Sequence, residues 1–144
     1  IHIYNNTHYV REGLDVDVFP ENRTPLNTLF ENNIFYFDGE GRWGENADGV
    51  NTRFHNNLYF NITPHSSDES PHLEDPRFVR PGKAGTDIDL ATMRSLEGYQ
   101  LQHNSPSIIG GKSIQNRGDV DCLGVEIPVQ RSFMGACGVD SVRE

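Results

Sequence analysis

Between residues 38 and 49 the chain gathers Asp38, Glu40, Glu45 and Asp48 together with Arg42 and Trp43 in one Gly-rich stretch. Carboxylates beside a guanidinium and an indole form a side-chain set suited to sugar chemistry. Glycoside hydrolysis needs two carboxyl groups roughly 5 to 9.5 Å apart, one protonated and one ionised. Asp38 and Glu40, two residues apart in extended chain, would share a side about 6.6 Å apart and are the candidate catalytic pair. Arg42 would clamp an anion, and Trp43 would offer a stacking face to a sugar ring. Elimination from a uronic acid asks for different groups: a base such as Arg, Lys or His, and a cation or Ca²⁺ beside the carboxylate. Arg53 and His55, with Arg42 one loop earlier, are the candidates for that chemistry. The alternative for the whole loop is a solvated connection with no site in it.

Other chemistries lack their residues. His65 and His72 do not have metal-ligand spacing, so no metal site is expected. The segment from Asp38-Gly39-Glu40 opens like a Ca²⁺ loop, but Arg42 and the missing terminal bidentate Glu contradict an EF-hand. No Gly-x-Ser-x-Gly elbow, phosphate loop or dinucleotide fingerprint is present. No cofactor is expected, apart from Ca²⁺ if the chemistry is elimination.

The elements that would position these groups are announced by a repeat. Phe30-Glu31-Asn32-Asn33-Ile34-Phe35-Tyr36-Phe37 recurs as Phe54-His55-Asn56-Asn57-Leu58-Tyr59-Phe60-Asn61, with a fainter copy at Ile3-Tyr4-Asn5-Asn6-Thr7-His8-Tyr9-Val10. Each copy reads as strand, Asn-Asn corner, strand, because Asn tolerates the positive φ of a tight corner better than other residues with a side chain. Copies spaced by a period in the twenties suggest one solenoid coil per repeat. Stacked coils would place Asn33 over Asn57 about 4.7 Å apart, able to hydrogen-bond in a ladder. The expected inward residues are Phe30, Ile34 and Tyr36 in one coil and Phe54, Leu58 and Phe60 in the next. Two unrelated hairpins would explain the corners less well, since hairpins prefer Asn-Gly.

A chain of 144 residues suits one domain. Hydrophobic residues are 35% of it and aromatics 10%, with 14 Gly and 8 Pro, and mean hydropathy is -0.61. That mixture favours short strands and turns over helices. A net charge of -9, from 12 Lys plus Arg against 21 Asp plus Glu, repels phosphate backbones and anionic lipid, which argues against nucleic acid and membrane surfaces as partners. It leaves room for an acidic polysaccharide bound by a local basic cluster. No apolar run approaches the ~20 residues of a membrane span. Cys122 and Cys137, even in number and close together, suit one disulfide in a secreted protein, with two free cytosolic thiols as the alternative. Asn5, Asn22 and Asn61 stand in glycosylation sequons.

Residues 1–62 read as about three coils, and 63–144 as a last coil and a capping segment. Leu14, Val16 and Val18 alternate as a strand would. Residues 87–96 are the best helix candidate, with Asp87 or Asp89 as cap and Gly98 as stop. Tyr99 to Gln102 alternates as a short strand. Ser105-Pro106-Ser107 opens one helical turn that Gly110-Gly111 ends.

The Asn-Asn-Ile-Phe-Tyr and Asn-Asn-Leu-Tyr-Phe corners resemble secreted right-handed parallel β-helix proteins of the pectin-lyase-like fold. So do Asp75-Pro76-Arg77-Phe78-Val79, Gly98-Tyr99-Gln100-Leu101-Gln102, Ser105-Pro106-Ser107-Ile108 and Asp121-Cys122-Leu123-Gly124, which match the C-terminal closing segments of that family. The family pattern is departed from at Ile108-Ile109-Gly110-Gly111, which lacks the usual acidic residue, and at the added Cys pair. The resemblance implies an all-β parallel β-helix with an irregular cap of one or two short helices. It also implies a secreted, extracellular polysaccharide-degrading enzyme, hydrolase or lyase, with a groove along the helix. A polysaccharide or oligosaccharide is the expected partner. Because family members carry more coils than are visible here, an upstream β-helix segment or partner chain is expected to complete the stack. The rival reading is a non-catalytic β-helix that binds carbohydrate or serves as a structural surface protein.

Overall fold

The computed structural model describes residues 1–83, 94–129 and 132–139, and these are mostly β with little helix. Three parallel sheets organise them. His2–Tyr4 (β1), Leu29–Glu31 (β4) and Arg53–His55 (β7) form the first. Thr7–Val10 (β2), Ile34–Phe37 (β5) and Leu58–Phe60 (β8) form the second, and Asp15–Asp17 (β3) pairs with Glu40–Arg42 (β6) in the third. Each copy of the repeat gives one strand to the first sheet, turns at its Asn-Asn pair and gives the next strand to the second. Ile3, Phe30 and Phe54 stand in register, as do Thr7, Ile34 and Leu58. Phe30 and Phe54 stack as expected, ring centroids 4.5 Å apart and 10° from parallel.

The two asparagines of each corner divide the work. The first, Asn5, Asn32 or Asn56, takes the left-handed backbone, at φ 51°, 56° and 56°. The second builds the ladder. Asn6 donates its backbone N–H and Nδ2 to Asn33 Oδ1 at 3.0 and 3.2 Å, and Asn33 repeats this toward Asn57 Oδ1 at 2.9 and 3.0 Å. Asn57 then donates both groups to Asp68 Oδ2, at 3.1 and 3.0 Å. All the amides therefore point the same way, toward a carboxylate that closes the chain of hydrogen bonds. The sequence does not mark Asp68 for this role.

Alternation along β5 produces two cores where one was expected. Phe30, Phe35, Phe37, Phe54, Tyr59 and Ile62 form the cluster between the sheets. Ile34, Tyr36 and Leu58 face the other way and are buried by Phe78, Leu101 and Met134. The expected inward set is thus split. Phe30 and Phe54 point into the interior, while Ile34, Tyr36, Leu58 and the half-buried Phe60 line the opposite face of the second sheet. The period of two in a strand requires this, since Phe35 and Phe37 claim the inner face. Phe78, Leu101 and Met134 consequently cover the flat of a sheet, whereas the segment around 65–72 meets the edge of the last repeat through the parallel bridge of His72 to Leu58.

Gly135 fastens that cover. Its φ is +84°, its N–H donates to Asn32 O at 2.9 Å, and a Cβ there would stand 2.7 Å from Ile34 Cδ1. Gly135→Ala is expected to lower stability by about 1 to 3 kcal/mol, as overpacking at a left-handed residue does. An unchanged denaturation midpoint would contradict this seating.

Three further expectations are adjusted. The 38–49 loop contains a strand, β6, in register with Asp15, Val16 and Asp17; Gly41 permits it because a Cβ would run into the Phe37 ring. The helix expected over 87–96 lies largely outside the described residues, and Arg94–Tyr99 is a 3₁₀ helix. Leu101 makes single bridges to Phe78 and Val139 rather than belonging to a strand. The one-turn helix after Pro106 is present as Ser107–Gly110, with Ser105 Oγ accepting the Ser107 N–H at 3.1 Å. Cys122 and Cys137 form a disulfide with Cα atoms 5.0 Å apart, a bond at home in an oxidising compartment. No helix among the described residues is long and apolar enough to cross a membrane.

Candidate functional site

In-register parallel strands put equivalent residues on the same face, so the first sheet carries two short rows outward. Tyr4, Glu31 and His55 share one register position, and His2, Leu29 and Arg53 share another two residues earlier. The opposite alternation buries Phe30 and Phe54. The outer face of this sheet therefore displays His2, Tyr4, Glu31, Arg53 and His55 across three adjacent strands.

Glu31 is the centre of the row. Its Oε1 lies 2.9 Å from His55 Nδ1 and its Oε2 lies 3.1 Å from His2 Nε2. The Glu31 side chain is 14% exposed, against 41% for His55 and 37% for His2, so the carboxylate sits under two more accessible rings. An ionised carboxylate only accepts hydrogen bonds, which makes both facing ring nitrogens donors. In neutral His55 this leaves Nε2 with the lone pair, and in neutral His2 it leaves Nδ1. Each ring is a base held in place by the carboxylate between them. The two rings use different oxygens rather than converging, and among the described residues no group of three His, Cys, Asp or Glu is arranged to hold a metal ion. Arg53, exposed on β7, pairs with no described carboxylate and supplies a cation two residues from His55.

The residues of the 38–49 stretch are placed elsewhere. Asp38 follows β5 and accepts the Tyr9 hydroxyl at 2.7 Å. Burial raises the Tyr9 phenol well above its usual range and Tyr36 to about 12, with Asp38 adding to both. Glu40 opens β6 on the far side of the corner at Gly39. The extended chain assumed between Asp38 and Glu40 is therefore broken by that corner. Arg42 is committed to Asp15 and Asp17, each at 2.6 Å. Trp43 is half-buried, its ring centroid 5.1 Å from Phe35 and 5.2 Å from Phe54, and its Nε1–H donates to Thr63 O at 2.7 Å. Of the groups proposed from sequence, Arg53 and His55 come together on one face, whereas Asp38, Glu40, Arg42 and Trp43 join other parts of the surface and core.

Of the loop histidines, His65 is buried against Phe54 at 4.0 Å, and burial lowers its pKa. His72 Nε2 is 3.2 Å from Asn56 Oδ1. Among the sequons, Asn22 is exposed, Asn61 donates Nδ2 to Phe37 O at 3.0 Å, and Asn5 has a buried Oδ1 with no partner.

Glu31, His2 and Tyr4 were not singled out by residue chemistry, yet the repeat contains the signal. Aligning Phe-Glu-Asn-Asn with Phe-His-Asn-Asn and Ile-Tyr-Asn-Asn places Glu31, His55 and Tyr4 in one column. No protein family matches the chain, and no curated protein is similar enough to it to count as a relative.

Proposed function

We propose that this chain is part of a secreted right-handed parallel β-helix that degrades a polysaccharide, with the outer face of the first sheet as its groove floor. The observation that carries the reading is the His55–Glu31–His2 row beside Arg53. The row favours elimination over hydrolysis, because Glu31 is the one carboxylate on this face among the described residues and hydrolysis needs two. His55 Nε2 would take the proton α to a uronate carboxylate while Arg53 neutralises that carboxylate. The electron pair forms the C4–C5 double bond, the C4–O bond breaks, and the leaving oxygen takes a proton from water. Because β1 and β2 are the outermost strands of their sheets, with Ile1 81% exposed beside them, a further layer from an upstream segment or a partner chain would extend the groove. The alternative is a non-catalytic role in which the same face binds carbohydrate without cleaving it.

The test is to incubate the chain, alone and together with any upstream segment or partner chain that extends it, with acidic and neutral polysaccharides. Elimination is expected to produce ultraviolet-absorbing unsaturated ends from acidic substrates. New reducing ends without that absorbance would indicate hydrolysis instead. Binding without cleavage in either form would favour the non-catalytic role.

A further inference from the structure

One cavity of about 370 Å³ lies against the Tyr4 end of the His–Glu row, walled by Tyr4 and Asn5 on one side and by Arg117, Asp121, Cys122 and Phe133 on the other. That volume is within the roughly 300 to 1,000 Å³ of ligand sites. Tyr4 belongs to both places. It stands in register with Glu31, and its ring centroid is 4.9 Å from that of His2. A polymer lying along the row would run onto the cavity.

The polar groups of the wall are unequally used. Asp121 spends Oδ1 on the N–H groups of Leu123 and Val125, both at 2.9 Å, and Oδ2 on that of Gly138 at 2.9 Å. Its oxygens are held by the turn it organises, and its negative charge stays in the wall beside the Arg117 guanidinium. Arg117 donates to the carbonyl oxygens of Gly118, Ile127 and Pro128 at 3.0, 3.3 and 2.9 Å, and pairs with no carboxylate among the described residues. Those contacts aim the guanidinium without neutralising it. Asn5 has a buried amide oxygen with no partner. A held cation and an aromatic ring are two contacts a carboxylate-bearing sugar would use: carboxylate on Arg117, ring face on Tyr4.

The far wall is tied shut by the disulfide. Cys122 is bonded to Cys137 and donates its N–H to Ala136 O at 2.9 Å, while the Ala136 N–H reaches Thr7 Oγ1 at 3.1 Å on β2. We infer that this cavity is a subsite for one anionic sugar residue of the polymer that crosses the His–Glu row, assembled by the Cys122–Cys137 tail. The inference rests on the polysaccharide reading of that row.

Calorimetry separates the two, because binding is read without turnover. The probes are a galacturonate hexamer and the same hexamer with its carboxyls reduced to alcohols, titrated into the full chain. The acidic hexamer is expected to bind more tightly than the reduced one. Arg117→Gln should weaken the acidic hexamer about 10- to 100-fold, the range for losing a hydrogen-bonded charge pair, and leave the reduced one unchanged. Tyr4→Ala on the opposite wall should weaken both, which keeps the test decisive if Arg117→Gln disturbs the tail. Reduction of the disulfide should reproduce the Arg117→Gln loss. Equal affinities of wild type, Arg117→Gln and Tyr4→Ala, or a preference for the reduced hexamer, would overturn the subsite. Selective binding without cleavage would uphold the subsite and remove the catalytic reading; cleavage with no effect of either variant on affinity would do the reverse.

Discussion

Replacing Asp68 by Asn is expected to lower the stability of the folded chain by about 3 to 5 kcal/mol, since each hydrogen bond to a charged group contributes about 1.5 to 3 and the bonds are not fully additive. Asp68 is 8% exposed. Its Oδ2 accepts Asn57 N–H, Asn57 Nδ2 and the Tyr59 hydroxyl at 3.1, 3.0 and 2.7 Å. Its Oδ1 accepts the N–H groups of Asn56 and Ser70, both at 3.0 Å. An amide in that place must turn an NH₂ toward two or three donors, whichever way it faces. The loss also reaches the ladder, because the Asn6–Asn33–Asn57 dipoles all point toward this charge. Urea unfolding of the two proteins measures the difference, and equal midpoints with equal slopes would refute the role.

The same carboxylate sets an acid limit. Burial alone would raise its pKa, but the hydrogen bonds from Tyr59, Asn57 and Ser70 outweigh burial and hold it below the usual range. A depressed folded-state value means that the stabilisation is fully present above the unfolded carboxyl pKa, about 3.9, and is lost as pH falls through the lower folded value. The gap in stability between wild type and Asp68→Asn should therefore be constant near neutrality and close below about pH 4.

The repeat was legible because its signal is local. Two identical Asn-Asn pairs with matching flanks predict the parallel register, the Phe30–Phe54 stack and the amide ladder, and all three are present. What the repeat does not encode is which face each later segment covers. Ile34 and Tyr36 looked inward because both are apolar, yet Phe35 and Phe37 fill the interior, and only the arrival of Phe78, Leu101 and Met134 explains apolar residues on both sides of β5. Asp68 was hidden for a similar reason: it reaches the ladder from a Ser-rich loop that carries no trace of the repeat. The candidate site is harder to read for a different reason. The 38–49 stretch concentrates chemically capable residues in sequence, and the fold disperses them, pairing Arg42 with Asp15 and Asp17 and enclosing Trp43 among aromatic rings. Glu31, His2 and His55 are far apart in sequence, and stacking brings them within hydrogen-bond reach. In a stacked repeat, chemistry is read down the columns rather than along the chain.

Within the proposed reading, His55→Ala is expected to reduce turnover by about 10²- to 10⁴-fold, the contribution of a positioned general base, with little change in substrate affinity. His55 is partly exposed at the edge strand of its row, and the Phe54 backbone beside it is secured by the Ser67 hydroxyl at 3.1 Å from its N–H. Removing the imidazole therefore leaves an open notch above Glu31 rather than a collapsed core. Added imidazole can enter that notch and donate to Glu31 as the ring did, so part of the lost rate should return in proportion to imidazole concentration. Glu31→Gln should lower turnover by another route. The amide can donate as well as accept, so it no longer requires His55 Nδ1 to be the donor, and the ring loses the preference that keeps the lone pair on Nε2. Imidazole should not restore that variant, since its own ring is still present. Turnover, substrate affinity and unfolding midpoint measured for both variants decide the case. Wild-type turnover in His55→Ala, or a loss that imidazole leaves untouched while the fold is intact, would show that the row is a structural contact and that the base lies elsewhere.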